Sequence, residues 1–242
     1  MNNGDLSVKD ARAVGTPART EFATISITLP KWNINSVWAI MEDDQVYKYR
    51  IITFPFSGNV KELSKDGANQ FFNWYLQQIP IRITQLFEFI IKTPGYDKWI
   101  PDNSSDSLIP LGQWFSQKIS TRDRTPFEID EIYSKLGKFQ GLIPIPKSVL
   151  SQESYSLAID LGMYLSQILI NNVPGLHWEL VTKPKNDAFY NHPVLKLTGK
   201  MVCDPVHLSI VYSNGLLDGT FQAIRLKEIY EKWAFNFIEN HY

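Results

Sequence analysis

The sequence holds a single cysteine, Cys203. No intramolecular disulfide can form, so a stapled secreted scaffold is excluded and a reducing compartment is the simpler expectation. An excess of one charge is also missing. With 24 Lys and Arg against 25 Asp and Glu, the formal net charge is -1, which leaves no global field to draw the chain onto nucleic acid or an anionic membrane. Long apolar runs are absent as well. Leu86 to Ile91 is broken by Glu88, and Leu157 to Ile170 by Asp160, Ser166 and Gln167, so neither supplies the roughly 20 residues of a bilayer span. Met1 to Arg19 mixes Asn, Gly, Asp and Lys without an apolar stretch, and the expectation is a cytoplasmic protein with no secretory leader.

The common catalytic signatures are missing too. The chain has no G-x-G-x-x-G, no G-x-x-x-x-G-K-[ST], no H-E-x-x-H and no G-x-S-x-G. This disfavours nucleotide enzymes of the usual types, zincins and α/β-hydrolases, and no cofactor is expected.

What is present is a globular composition, 44% hydrophobic with 20% charged residues, and an aromatic share of 13% that must pack in a core or on a recognition surface. Residues 1–20 are polar and carry Gly4, Gly15 and Pro17. They read as a flexible tail ahead of one α+β domain over 21–242. Ile25, Ile27 and Leu29 alternate with threonine and serine, the period of a strand with one buried face. Val37 to Met41 and Val46 to Phe54 flank the acidic stretch Glu42, Asp43, Asp44 and predict a hairpin.

The pattern then turns helical. Phe72, Tyr75, Leu76 and Ile79, followed by Ile83, Leu86, Phe87 and Ile90, form one stripe across Pro80, so either one helix kinks there or a second begins. Ser105 or Ser107 can cap a helix carrying Leu108, Leu111, Phe115 and Ile119, with Trp114 beside them. Thr125, Pro126 and Glu128 spell a capping box, and Gly137 is placed to stop that helix. Gly141, Pro144 and Pro146 mark 138–150 as the place where a split into two lobes would fall.

Ser151 opens a helix that is apolar almost all round, which predicts a central position, and Gly162 would let a neighbouring backbone approach it. Leu176 to Val181, Val194 to Thr198 and His207 to Tyr212 read as strands of a small antiparallel sheet, with Gly199 to Pro205 as a turn. A final helix carries Leu226, Ile229, Tyr230, Trp233 and Phe237 on one face.

Candidate chemistry concentrates late in the chain. His177, His192, Cys203, Asp204 and His207 supply donors suited to zinc, but at no specific spacing, and they read as scattered structural residues with no metal. Glu128, Asp130 and Glu131 are accounted for by the helix dipole of a first turn. Asp160 is the unusual acid, because it interrupts the central helix and must reach the surface, a loop or a ligand. Lys118, Arg122 and Arg124 are the nearest approach to a basic cluster, diluted by Asp123, and no nucleic-acid partner is expected.

The stretches Phe72-Asn73-Trp74-Tyr75 to Pro80-Ile81-Arg82-Ile83, Ser107 to Leu111, Leu161-Gly162-Met163-Tyr164-Leu165 to Trp178, and Pro193-Val194-Leu195 with Asp204-Pro205 resemble uncharacterised bacterial α+β proteins, some of them similar to immunity proteins of toxin loci. The resemblance implies a non-enzymatic protein-binding protein whose partner is a basic toxin. On that reading Trp38 and the acids Glu42, Asp43 and Asp44 of the hairpin form the interface. The rival expectation is a small-molecule enzyme or sensor, with a pocket between the central helix and the C-terminal sheet formed by Asp160, His177, Glu179 and His207. Convergence of these four in one cleft would favour the pocket, and dispersal would favour the binding module.

Overall fold

The structure is a computed structural model, and it describes residues 49–199 and 201–239. Among them, helices alternate with two small antiparallel sheets in an α+β arrangement. The tail read over 1–20, the strand at Ala23 to Leu29, most of the hairpin, and Trp38, Glu42, Asp43 and Asp44 lie outside the described residues.

Helix α1 spans Lys65–Ile91, with the Ser64 hydroxyl accepting from the Gly67 N–H at its start. It is one helix through Pro80 rather than two, and it starts seven residues before Phe72, where the apolar stripe begins. Ile79, Ile83, Leu86 and Ile90 are almost wholly buried along it, so packing of that face outweighs the roughly 3 kcal/mol that an internal proline costs.

Helix α2, Leu108–Lys118, follows a 3-10 turn at Ser105–Ser107 that Ser104 caps, and its Leu108, Leu111, Trp114 and Phe115 are fully buried. Helix α3, Pro126–Leu136, carries the capping box read from Thr125 and Glu128 and ends at Gly137, whose φ is 50°. It buries no residue. Short strands β1, Thr121–Asp123, and β2, Ser148–Leu150, pair antiparallel on either side of it. The alternation signal could not flag them, because three residues are too short to show a period.

Helix α4, Gln152–Asn172, is the central element, with Leu157, Leu161, Leu165 and Ile168 at or near zero exposure. Strands β3 (His177–Leu180), β4 (Pro193–Lys196) and β5 (Val202–Cys203) form an antiparallel sheet in that order. Helix α5 spans Pro205–Leu217 and α6 spans Arg225–Glu239, with Leu226, Tyr230 and Phe237 turned inward. A Cβ on Gly162 would stand 2.7 Å from the Pro205 carbonyl oxygen and 2.7 Å from Val206 Cα. The missing side chain therefore lets the start of α5 lie directly on α4.

Two strand expectations are corrected. His207 to Tyr212 is helical, not extended, because Asp204 accepts from the His207 N–H as an N-cap and Pro205 occupies the first turn. Those two local signals override the apolar, β-branched content that follows. The stretch read as a turn ahead of it contains β5.

The second correction concerns Val46 to Phe54. Over 49–54 no strand forms. Instead the Ile52 N–H donates to Ser156 Oγ at 2.8 Å, and the Arg50 carbonyl accepts from Arg82 and Gln85, each at 2.8 Å. Side chains on two helices hold this segment.

Candidate functional site

Between α1, α4 and the start of α5 lies a cavity of about 290 Å³. Its wall is largely aromatic, with Phe54 and Phe56 from the segment before α1, Phe71 and Tyr75 from α1, and Tyr155 from α4. Phe71 is the hub, 5.0 Å from the Phe56 ring, 6.2 Å from Phe54 and 6.1 Å from Tyr75. Tyr75 is in turn braced edge-on by Trp178 of β3 at 5.2 Å.

The polar side of the cavity is formed by His192 and Asp204. His192 Nδ1 faces Asp204 Oδ2 at 3.3 Å. A carboxylate can only accept, so the imidazole presents its Nδ1 proton to it. The other carboxylate oxygen, Oδ1, is taken by the His207 N–H at 3.0 Å, so Asp204 caps α5 and orients His192 together.

His192 is placed by its neighbour. Asn191 sits in the left-handed region with φ 64° and is buried. Its amide donates to the carbonyls of Val60 at 3.2 Å and Leu63 at 3.0 Å. One side chain thus ties the β3–β4 connection to the 3-10 turn Val60–Glu62 at the rim of the cavity.

The Tyr75 hydroxyl is buried in this wall with no hydrogen-bond partner among the described residues. Burial, then the charges of Asp204 and Asp160, push it well above the ordinary tyrosine range. Burial and Asp204 raise Tyr155 in the same direction. The negative charge at Asp204 therefore reaches both hydroxyls. Cys203, next to Asp204, is buried, and its thiol is pushed up by burial first and Asp204 second, which removes it as a nucleophile.

The four residues expected to share a pocket are dispersed. Asp160 lies in the core with zero exposure, bound bidentately by Arg82 at 2.8 and 2.7 Å and by the Tyr49 hydroxyl. His177 Nδ1 contacts the Gly175 carbonyl at 2.9 Å. Glu179 pairs with Lys196 at 2.7 Å beside a second, more polar hollow that also holds Lys183. His207 is exposed in the first turn of α5.

Of the five C-terminal donors weighed as zinc ligands, only His192 and Asp204 meet, and no three such groups cluster among the described residues. Arg122 is consumed by a bidentate pair with Glu128 at 2.8 and 2.6 Å, which holds that carboxyl down to about 2, and Arg124 donates to the Pro146 carbonyl. Two of the three basic residues are thereby engaged within the fold, while Lys118 is exposed, 6.0 Å from the Phe89 ring.

Sequence reasoning missed Arg82, Tyr75, Tyr155 and Asn191. Arg82 had a signal, for it is a cation inside the apolar stripe Ile79, Ile83, Leu86 just as Asp160 is an anion inside an apolar helix. Tyr75 and Tyr155 had none, since an aromatic at helical spacing reads as core. No helix among the described residues is long and apolar enough to cross a membrane. No protein-family model, curated protein or solved structure matches the chain.

Proposed function

We propose that the chain binds a small organic molecule in the cavity between α1, α4 and the start of α5. The observation that carries this reading is the cavity itself, walled by Phe54, Phe56, Phe71, Tyr75 and Tyr155 and bordered by the His192–Asp204 pair. Apolar walls with a few convergent polar groups are the usual make-up of a ligand site. This cavity is lined by other side chains than Asp160, His177, Glu179 and His207, whose dispersal counts toward the second reading below.

Fluorine-detected fragment binding by NMR tests the reading, with Val206→Trp, at the cavity wall, as the blocking variant. Binding by the parent and loss in the folded variant support it. Absence of any fragment binding, or binding untouched by Val206→Trp, refutes it.

A second reading, a protein-binding module, is favoured by a separate observation. Helix α3 and the segment after it expose Phe127 at 75% and Leu142 at 74%, together with Phe139 and Ile143. Exposed large apolar side chains such as these are what a protein partner with its own apolar patch would cover. The immunity-type expectation with a basic toxin belongs to this reading. Co-expression with the protein encoded beside it tests the surface. A complex that is lost on combining Phe127→Asp with Leu142→Asp supports it, and a complex unaffected by both places the interface elsewhere.

A further inference from the structure

We infer that the cavity takes an organic cation, an ammonium head on a small apolar body, held by the Asp204 carboxylate and the aromatic rings around it. The inference rests on reading the cavity as a ligand site and goes on to name the class of ligand. Its basis is the composition of the wall. Phe54, Phe56, Phe71, Tyr75 and Tyr155 supply five rings, Asp204 is the one acid, and no lysine or arginine lines the cavity among the described residues.

Charge decides between the ligand classes. An anion would enter beside Asp204 with no lysine or arginine lining the cavity to meet it, and burying an unpaired charge is strongly unfavourable. A neutral apolar ligand would fill the aromatic wall and leave the carboxylate with only its bonds to His192 and the His207 N–H. A cation satisfies both sides, because π-faces attract positive charge within roughly 6 Å of the ring and the carboxylate completes the pair.

Two groups oppose this and neither is sufficient. The α5 N-terminus contributes about half a positive charge, which Asp204 already caps through the His207 N–H. His192 donates a single hydrogen bond to the same carboxylate, at 3.3 Å. The side chain of Asp204 is 11% exposed, so solvent screens the remaining charge only in part.

Three probes of one shape separate the outcomes. Choline carries the cation, 3,3-dimethylbutan-1-ol replaces the ammonium by a neutral carbon centre, and 3,3-dimethylbutyrate carries an anion. Binding to the full chain is followed by saturation-transfer NMR and by tryptophan fluorescence at about pH 8, where an ordinary imidazole is neutral. Trp74 and Trp178 report locally, because Trp74 stacks on Phe71 and Trp178 meets Tyr75 edge-on.

The expected result is choline binding about tenfold tighter than the neutral alcohol, with the butyrate weakest. The preference should vanish in Asp204→Asn, which keeps a capping oxygen for α5 and so preserves the fold. Equal or tighter binding of the alcohol or the butyrate overturns the cation and leaves the cavity reading intact. Fragments that bind while choline does not also overturn the cation. If nothing binds, neither fragments nor these probes, both readings fail together.

Discussion

Arg82 on α1 and Asp160 on α4 meet through two parallel hydrogen bonds of 2.8 and 2.7 Å, with the carboxylate wholly buried and the guanidinium nearly so. The pair joins the two longest helices, and through the Arg50 carbonyl and the Tyr49 hydroxyl it also fastens the segment ahead of α1. Removing one partner leaves the other charge buried and uncompensated. Asp160→Leu or Arg82→Met should each cost about 3 to 5 kcal/mol, whereas the two combined should cost less than the single losses added. Urea denaturation of the three variants measures this, and a single-variant loss under about 1 kcal/mol would contradict the assignment.

The same carboxylate should titrate late. Burial pushes Asp160 from 3.8 to about 6, against the opposing pull of Arg82. With the folded value above the unfolded one, the folded chain holds more protons between those two limits. The stabilising contribution of this group is therefore complete below about pH 4 and is lost as pH rises through about 6. A carbon-13 titration of the Asp160 carboxyl should show a midpoint near 6, and a midpoint at or below the ordinary value would reverse the sign.

Gly162→Ala sets two effects against each other. Helix propensity gains about 1 kcal/mol, but the new Cβ would stand 2.7 Å from the Pro205 backbone oxygen, where real contacts do not occur. Overpacking of this kind costs about 1 to 3 kcal/mol, so a net loss is expected. Because Asp204 precedes Pro205, the displacement should also weaken any ligand of the cavity. A thermal melt beside a binding isotherm reads both, and an alanine variant as stable as the parent would mean that α5 does not lie on α4 as described.

Tyr75→Phe removes a hydroxyl that has no partner among the described residues. Deleting an unpaired buried polar atom should leave the ligand-free protein as stable as before, or raise stability by up to about 1 kcal/mol. Loss of more than about 1 kcal/mol would show that the hydroxyl is satisfied in solution.

Local features were readable in the residues themselves. The capping box at Thr125 and Glu128, the stop at Gly137 and the all-round apolar helix after Ser151 all lie within a few turns of chain, where propensity and capping energies act. Even the helical start at Asp204-Pro205 was written there, although the apolar run after it read as a strand. Which side chains meet across the fold was not. Arg82 and Asp160 stand 78 residues apart, and His192 and Asp204 twelve; the first pair exists because α1 packs on α4, the second because β4 pairs with β5. A sequence shows that an arginine and an aspartate each break an apolar face, because periodicity is a local property. Only packing decides that they answer one another, and that the cavity is lined by Tyr75, Tyr155, His192 and Asp204 rather than by His177, Glu179 and His207, because burial and pairing energies depend on distances that chain closure sets.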